Sequence, residues 1–188
     1  MKESITKKRE LASTTTSEYI LRSLLSELDH DVREGIARNT NSPSYILKRL
    51  FILECERSIY SNDIQYYIIM NPKCPKEDVV RFYMEFINNM GKDGADKFIK
   101  ELDKMIDKFY LLLDDPDLPF TTLRDLTNLR YLPYGSSIVF KKGMDTAKKE
   151  FYGKEELLVM RAKAKIRKVV EENNRNTIPD EEHSEMRL

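Results

Sequence analysis

Tryptophan is absent from this 188-residue chain, and cysteine and histidine occur only twice each. His30 and His183 have no His or Cys partner at ligand spacing, so no donor set for a metal is assembled, and His30 is expected to be a surface or capping residue. Cys55 and Cys74 form no CxxC pair. A disulfide framework is therefore not expected, and a reduced, cytoplasmic setting is. Cys74, just before Pro75, is expected to start a helix. Neither sign of charge is in excess, with 32 Lys and Arg against 32 Asp and Glu, so no global field draws the chain to nucleic acid or an acidic membrane. No apolar run approaches the ~20 residues that span a bilayer, and MKESITKKRELAST lacks the apolar centre of a signal peptide. Glycine-rich phosphate loops, a nucleophile elbow and HExxH are also missing. Neighbouring carboxylates such as Asp114-Asp115 and Glu181-Glu182 are accounted for by capping and solvation. These absences exclude most enzyme classes. We expect a non-enzyme, without cofactor or metal.

What is present is a repeat. Asp31, Asn39 and Pro43 are spaced by eight and four residues. Asp63, Asn71 and Pro75 repeat that spacing, as do Asp107, Asp115 and Pro119, and Thr6, Thr14 and Glu18 give a degenerate first copy. In each copy the first residue is expected to cap a helix, with Asp31 and Glu34 forming a capping box. An apolar or small pair then faces the interior: Leu11-Ala12, Ile36-Ala37, Ile68-Ile69 and Leu112-Leu113. The helix is expected to stop at Thr14, Asn39, Asn71 or Asp115 in the left-handed conformation that Asn and Asp tolerate. A second helix starts at the proline, with a stripe at Leu47 and Leu50, Val79 and Phe82, or Leu123 and Leu126. In the first copy Leu21 and Leu25 cover for Arg22. Insertions fall at 52–62 and 88–105, the latter with Gly91 and Gly94 expected to break a helix before an amphipathic run at Phe98, Ile99, Leu102 and Ile106. Units of this kind stack and build a surface.

The segment LDHDVREGIARNTNSPSYILKRL resembles one unit of the leucine-rich repeat variant (LRV) family, which is similar in design to HEAT repeats. Asp29, Val32, Arg33, Ile36, Ala37, Asn39 and Pro43 carry the likeness. IQYYIIMNPKCPKEDVV shares Ile64, Asn71, Pro72 and Pro75, but has Ile64-Gln65 in place of Val-Arg. The resemblance spans residues 6–128 and implies a curved helical solenoid. The cysteine-rich segment that carries an iron–sulfur cluster in some members is not found here. The expected fold is all-α: a HEAT/LRV-like α-solenoid of about four irregular helical hairpins over 1–128, and a C-terminal extension with a basic helix over 129–173. An acidic tail over 174–188 is expected to be disordered.

Beyond residue 128 the repeat logic ends. LRYLPYGSSIVFKKG suits a strand, a hairpin arm or an extended segment. A helix is expected over 154–173, with Leu158, Ala162, Ile166 and Val169 on one stripe. Lys and Arg cluster over 141–168. The functional expectation is a binding protein whose partner is another protein, docked by Arg33, Arg38, Lys48, Arg49, Tyr60, Tyr66 and Tyr67, since Tyr and Arg anchor interfaces. Tyr19 and Tyr45 sit near the start of second helices. Size and degeneracy suit a phage or mobile-element inhibitor or a bacterial scaffold. The alternative partner is nucleic acid, through Lys148, Lys149, Arg161, Lys165 and Lys168. A homodimer formed through the C-terminal helix is a third arrangement.

Overall fold

The structure, a computed structural model, describes residues 4–56, 62–97, 99–129 and 146–176, excluding the side chains of 90–97, 99 and 146–152. Among the described residues there are helices and no strands, so the fold is all-α. The helices are α1 (Ile5–Thr14), α2 (Glu18–Leu24), α3 (His30–Arg38), α4 (Ser44–Glu56), α5 (Asn62–Met70), α6 (Val79–Lys97), α7 (Ile99–Leu113), α8 (Phe120–Thr127) and α9 (Thr146–Asn176). The stretch read as strand, hairpin arm or extended segment lies, apart from its first residue Leu129, outside the described residues.

Helix starts differ from the sequence expectation. Ser4, not Thr6, caps α1, accepting from the Lys7 N–H at 3.3 Å. Asp29, not Asp31, caps α3, accepting from the Val32 N–H at 3.1 Å. Its carboxyl is held below the usual range, chiefly by the hydrogen-bonded Arg9 guanidinium. The box of Asp31 and Glu34 is not formed, because Glu34 pairs with Arg38 one turn on, at 2.8 Å. Asp63 lies in the first turn of α5. Asp107 is inside α7, which joins the amphipathic run and the expected fourth-copy helix into one. Gly91 and Gly94 do not break α6, which runs on to Lys97. A glycine inside a helix costs only about 1 kcal/mol, so a long amphipathic helix absorbs two.

Helix ends follow the spacing more closely, but by a different device. Asn39 is extended (φ −67°, ψ 112°), not left-handed. Its side-chain oxygen accepts from the Asn41 N–H at 2.9 Å, and its carbonyl accepts from the Ser42 N–H. Asn71 does the same with Lys73 (2.9 Å) and Cys74, and Asp115 with Asp117 (2.9 Å) and Leu118. Each turn delivers the chain to a proline, whose carbonyl takes the first bonds of the next turn of helix: Leu47 N–H to Pro43, Val79 N–H to Pro75 and Leu123 N–H to Pro119. A short polar side chain bonding its own backbone two residues on is what makes Asn and Asp turn residues.

The side-chain nitrogens of these asparagines reach between helices. Asn39 Nδ2 donates to the carbonyls of Ala12 (3.1 Å) and Thr15 (2.9 Å), at the end of α1. Asn71 Nδ2 donates to those of Ala37 (2.8 Å) and Asn39 (3.1 Å), at the end of α3. The last carbonyls of a helix have no partner within it, so these bonds satisfy groups that would otherwise be orphaned in the interior. At the next level Lys108 Nζ takes over, donating to Ile69 and, at 3.0 Å, to Asn71. Burial pushes the Lys108 ammonium below its ordinary pKa. Lys165 on α9 then donates to Leu113 (2.7 Å) and Asp115 (2.6 Å), at the end of α7.

Helix α1 therefore packs on α3, α3 on α5, α5 on α7 and α7 on α9, with the C-terminal ends of the first four side by side. Helices α4, α6 and α8 are joined by Phe51 of α4 stacked on Phe82 of α6 (centroids 4.0 Å, 8°) and by contacts of α6 with α8. Tyr83 meets Phe109 edge-on at 5.1 Å and ties α6 to α7. Most of the expected inward residues are buried: Ala12, Leu21, Ile36, Ala37, Ile68, Ile69, Leu113, Leu47, Leu50, Val79, Phe82, Leu123 and Leu126; Leu11, Leu25 and Leu112 are only half-buried. The α1–α3 contact is close at Gly35, where an added Cβ would stand 3.0 Å from that of Ala12.

Helix α9 packs on both α7 and α8. Lys154 pairs with Asp103 at 2.8 Å, and the Tyr110 hydroxyl donates to the Lys154 carbonyl at 2.6 Å. With Lys154 beside Asp103 and Lys165 beside Asp115, α9 runs parallel to α7. Leu158 and Ala162 are buried, while Ile166 and Val169 are half-buried. The helix extends three residues past the expected end, to Asn176.

Candidate functional site

Six of the seven residues expected to dock a protein are described, and they fall in separate groups. Arg33 is buried, and its Nε donates to Glu54 at 2.8 Å while Nη1 donates to the Leu28 carbonyl. Glu54 is wholly buried, so the arginine is the counter-charge of an interior carboxylate and not a contact for a partner. Its apolar flanks, Val32 and Ile36, mark the position as inward-facing by helical spacing, a signal available in the sequence.

Arg38, Tyr66 and Tyr67 do come together. The Arg38 guanidinium lies 3.8 Å from the centre of the Tyr67 ring and donates to its hydroxyl, and Tyr66 meets Tyr67 edge-on at 5.3 Å. This group bridges α3 and α5. Arg38 is exposed and both tyrosines are half-buried. Lys48 and Arg49 belong to a different group on α4, where Lys48 pairs with Asp78 and Arg49 is exposed. Tyr60 lies outside the described residues.

The residues of the alternative nucleic-acid reading are also divided. Lys148 and Lys149 lie in α9, but their side chains are outside the described residues. Lys165 is drawn inward to the carbonyls of Leu113 and Asp115, so it serves packing and not the surface. Arg161 and Lys168 are exposed, with Arg161 standing 5.5 Å from the centre of the Tyr110 ring.

His30, Asp31 and Glu34 place a nitrogen and two carboxylate oxygens within 4.8 Å of one another. Arg9 also holds Asp31 (3.0 Å) and Arg38 holds Glu34 (2.8 Å), so arginines already compensate both carboxylates, at the positive end of α3. Burial pushes the Cys74 thiol up to about 12, which makes it an inert core group. Cys55 is half-buried, its thiol also pushed up by burial, with Gln65 Nε2 donating to its sulfur at 3.3 Å. Glu155 is buried on α9 and one of its oxygens has no hydrogen-bond partner; burial, aided by Glu156, raises its carboxyl to about 8. These groups are dispersed over the described helices.

Sequence reasoning missed the side chains that join the helices: Asn39 and Asn71 as donors, and Lys108 and Lys165 as their substitutes. The recurrence of Asn before Pro was visible. That one amide both closes its own turn and crosses to the first helix of the preceding unit was not. No described helix is long and apolar enough to cross a membrane. No family model, curated protein or solved structure matches the chain.

Proposed function

We propose that this chain is a non-catalytic adaptor or inhibitor: an α-solenoid of the HEAT/LRV kind that docks another protein on its helical surface. The observation that carries this reading is the turn repeated at 39–43, 71–75 and 115–119, with the same bonds each time and each unit tied to the one before. Such a framework spends its polar groups on joining units and leaves its outer helix faces for recognition. The repeat resemblance in the sequence points the same way. Helix α9 closes the row, with Lys165 filling the place of the asparagine.

The competing reading, nucleic-acid binding through α9, retains Arg161 and Lys168 as exposed cations but has lost Lys165 to packing. A mobility-shift titration with single- and double-stranded oligonucleotides over a salt series separates the two. The adaptor reading expects no shift even at low salt. A shift that fades steeply with salt and vanishes in Arg161→Gln with Lys168→Gln would transfer the function to nucleic acid.

A further inference from the structure

One carboxylate stands where packing calls for an apolar side chain. Residues 155, 158, 159, 162 and 166 form the stripe by which α9 docks; Leu158, Val159 and Ala162 are buried on it and Ile166 is half-buried. Glu155 heads this stripe, only 6% exposed, and its Oε1 is buried with no hydrogen-bond partner. Among the described residues no cation pairs with it. On α7, Asp103 and Asp107 hold Lys154 at 2.8 and 3.4 Å, and Lys108 is turned to the carbonyls of Ile69 and Asn71. Lys100 and Lys104 are exposed and Glu101 is half-buried. The Tyr110 hydroxyl is committed to the Lys154 carbonyl. On α8, Arg124 stands 3.8 Å from Asp125. On α9 itself, Glu156 sets a like charge beside Glu155.

An ionised carboxylate without a partner is strongly disfavoured in an interior. Two states satisfy that chemistry: α9 docked with Glu155 protonated, or α9 released with Glu155 ionised in water. Release is open to α9 because it is docked from one side. It packs on α7 and α8, and Leu157 and Met160 on its far face are exposed. Its ammonium anchors, Lys154 on Asp103 and Lys165 on the carbonyls of Leu113 and Asp115, can be taken up by water. We propose that α9 is a proton-controlled closing helix, which docks while Glu155 carries its proton and detaches as that proton is lost, uncovering Tyr110 and the end of α7. Burial and Glu156 set the docked carboxyl at about 8 against an ordinary 4.5. Docking is therefore strongest at low pH, weakens by up to about tenfold per pH unit between those values, and falls no further above them. The device goes beyond the adaptor reading and stands whether or not the uncovered face meets a partner.

The test is hydrogen exchange read by mass spectrometry on the full chain at pH 6 and pH 8, with the intrinsic rate of each amide divided out. Protection of α9 is expected to fall by about tenfold or more over that interval, while α1 and α3 change by less than about twofold. In Glu155→Gln, which keeps the shape and removes the charge, α9 protection should agree within about twofold at the two pH values. In Glu156→Gln the fall should persist. An equal fall in α9 and α3 reports opening of the whole molecule and overturns the device. So does α9 protection that pH leaves unchanged in the wild-type chain, an outcome readable even where a variant fails to fold. A fall that survives in Glu155→Gln assigns the titration to another group and overturns it as well.

Discussion

Arg33 shows how a single residue can be misassigned by type and recovered by burial. An arginine in a unit rich in surface charge suggests a contact, yet its side chain is spent on the interior carboxylate of Glu54. Removing one partner from such a pair strands the other. Arg33→Met should therefore destabilise the protein by about 3–5 kcal/mol in urea unfolding, whereas Arg33→Met combined with Glu54→Leu should recover most of that loss. Equal destabilisation by the single and double variants would contradict the assignment. Two glycines make a second contrast at this scale. At Gly35 a new Cβ meets Ala12 at 3.0 Å and the Ser13 nitrogen at 3.3 Å, so Gly35→Ala should cost about 1–3 kcal/mol through overpacking of α1 on α3. At Gly153, exposed in α9 with nothing within 4 Å, the same change should stabilise by up to about 1 kcal/mol through helix propensity. Thermal melts of the two variants should shift in opposite directions.

Elements were legible where a single periodicity governs them. The stripes of α4, α6 and α8 and the inward pairs of α3 and α5 fall where the spacing put them, because burying a stripe is decided locally. The starts of α3 and α7 were not legible. Several acids near a helix start compete to cap it, and Asp29, held by Arg9 of α1, is the one that accepts from the first turn of α3. Two periodic runs joined without a strong breaker simply merge, as in α7. Docking of α9 depends on groups distant in sequence, so its place beside α7 could not be read from its own pattern. Lys165→Met should leave the carbonyls of Leu113 and Asp115 without their donor and cost about 1–3 kcal/mol, with faster hydrogen exchange concentrated in α7 and α9. Glu155 gives this docking a pH dependence. Its folded-state pKa, about 8, stands above the ordinary value of 4.5, so its contribution to stability is complete at low pH and is lost as pH rises through that interval. Glu155→Gln should accordingly stabilise the protein more at pH 8 than at pH 5, by at least ~1 kcal/mol of difference in paired denaturation curves. A variant whose effect is the same at both pH values would remove this role.

At the scale of the whole molecule, all-α character and the inward residues could be read from the chain, while the joints between units could not. Asn39, Asn71 and Asp115 look like a series of helix stops. In three dimensions the two asparagines both turn the chain and satisfy the end of the first helix of the preceding unit. Asp115, which has no hydrogen to give, keeps the turn and leaves the bridging to Lys108 and Lys165. The six described residues of the expected docking surface fall in separate groups for the same reason: sequence proximity does not say which helices share a face. That side-chain donors of each unit hold the one before is the claim on which the adaptor reading stands, and Asn71→Asp isolates it. The variant retains the oxygen that closes the turn with Lys73 but replaces the donor with a carboxylate oxygen facing the carbonyls of Ala37 and Asn39. Urea unfolding at pH 7 should show a loss of more than ~2 kcal/mol for Asn71→Asp, from two stranded carbonyls and a charge beside them. The exposed Asn41→Asp should stay within about 0.5 kcal/mol. Equal and small effects at both positions would contradict the account.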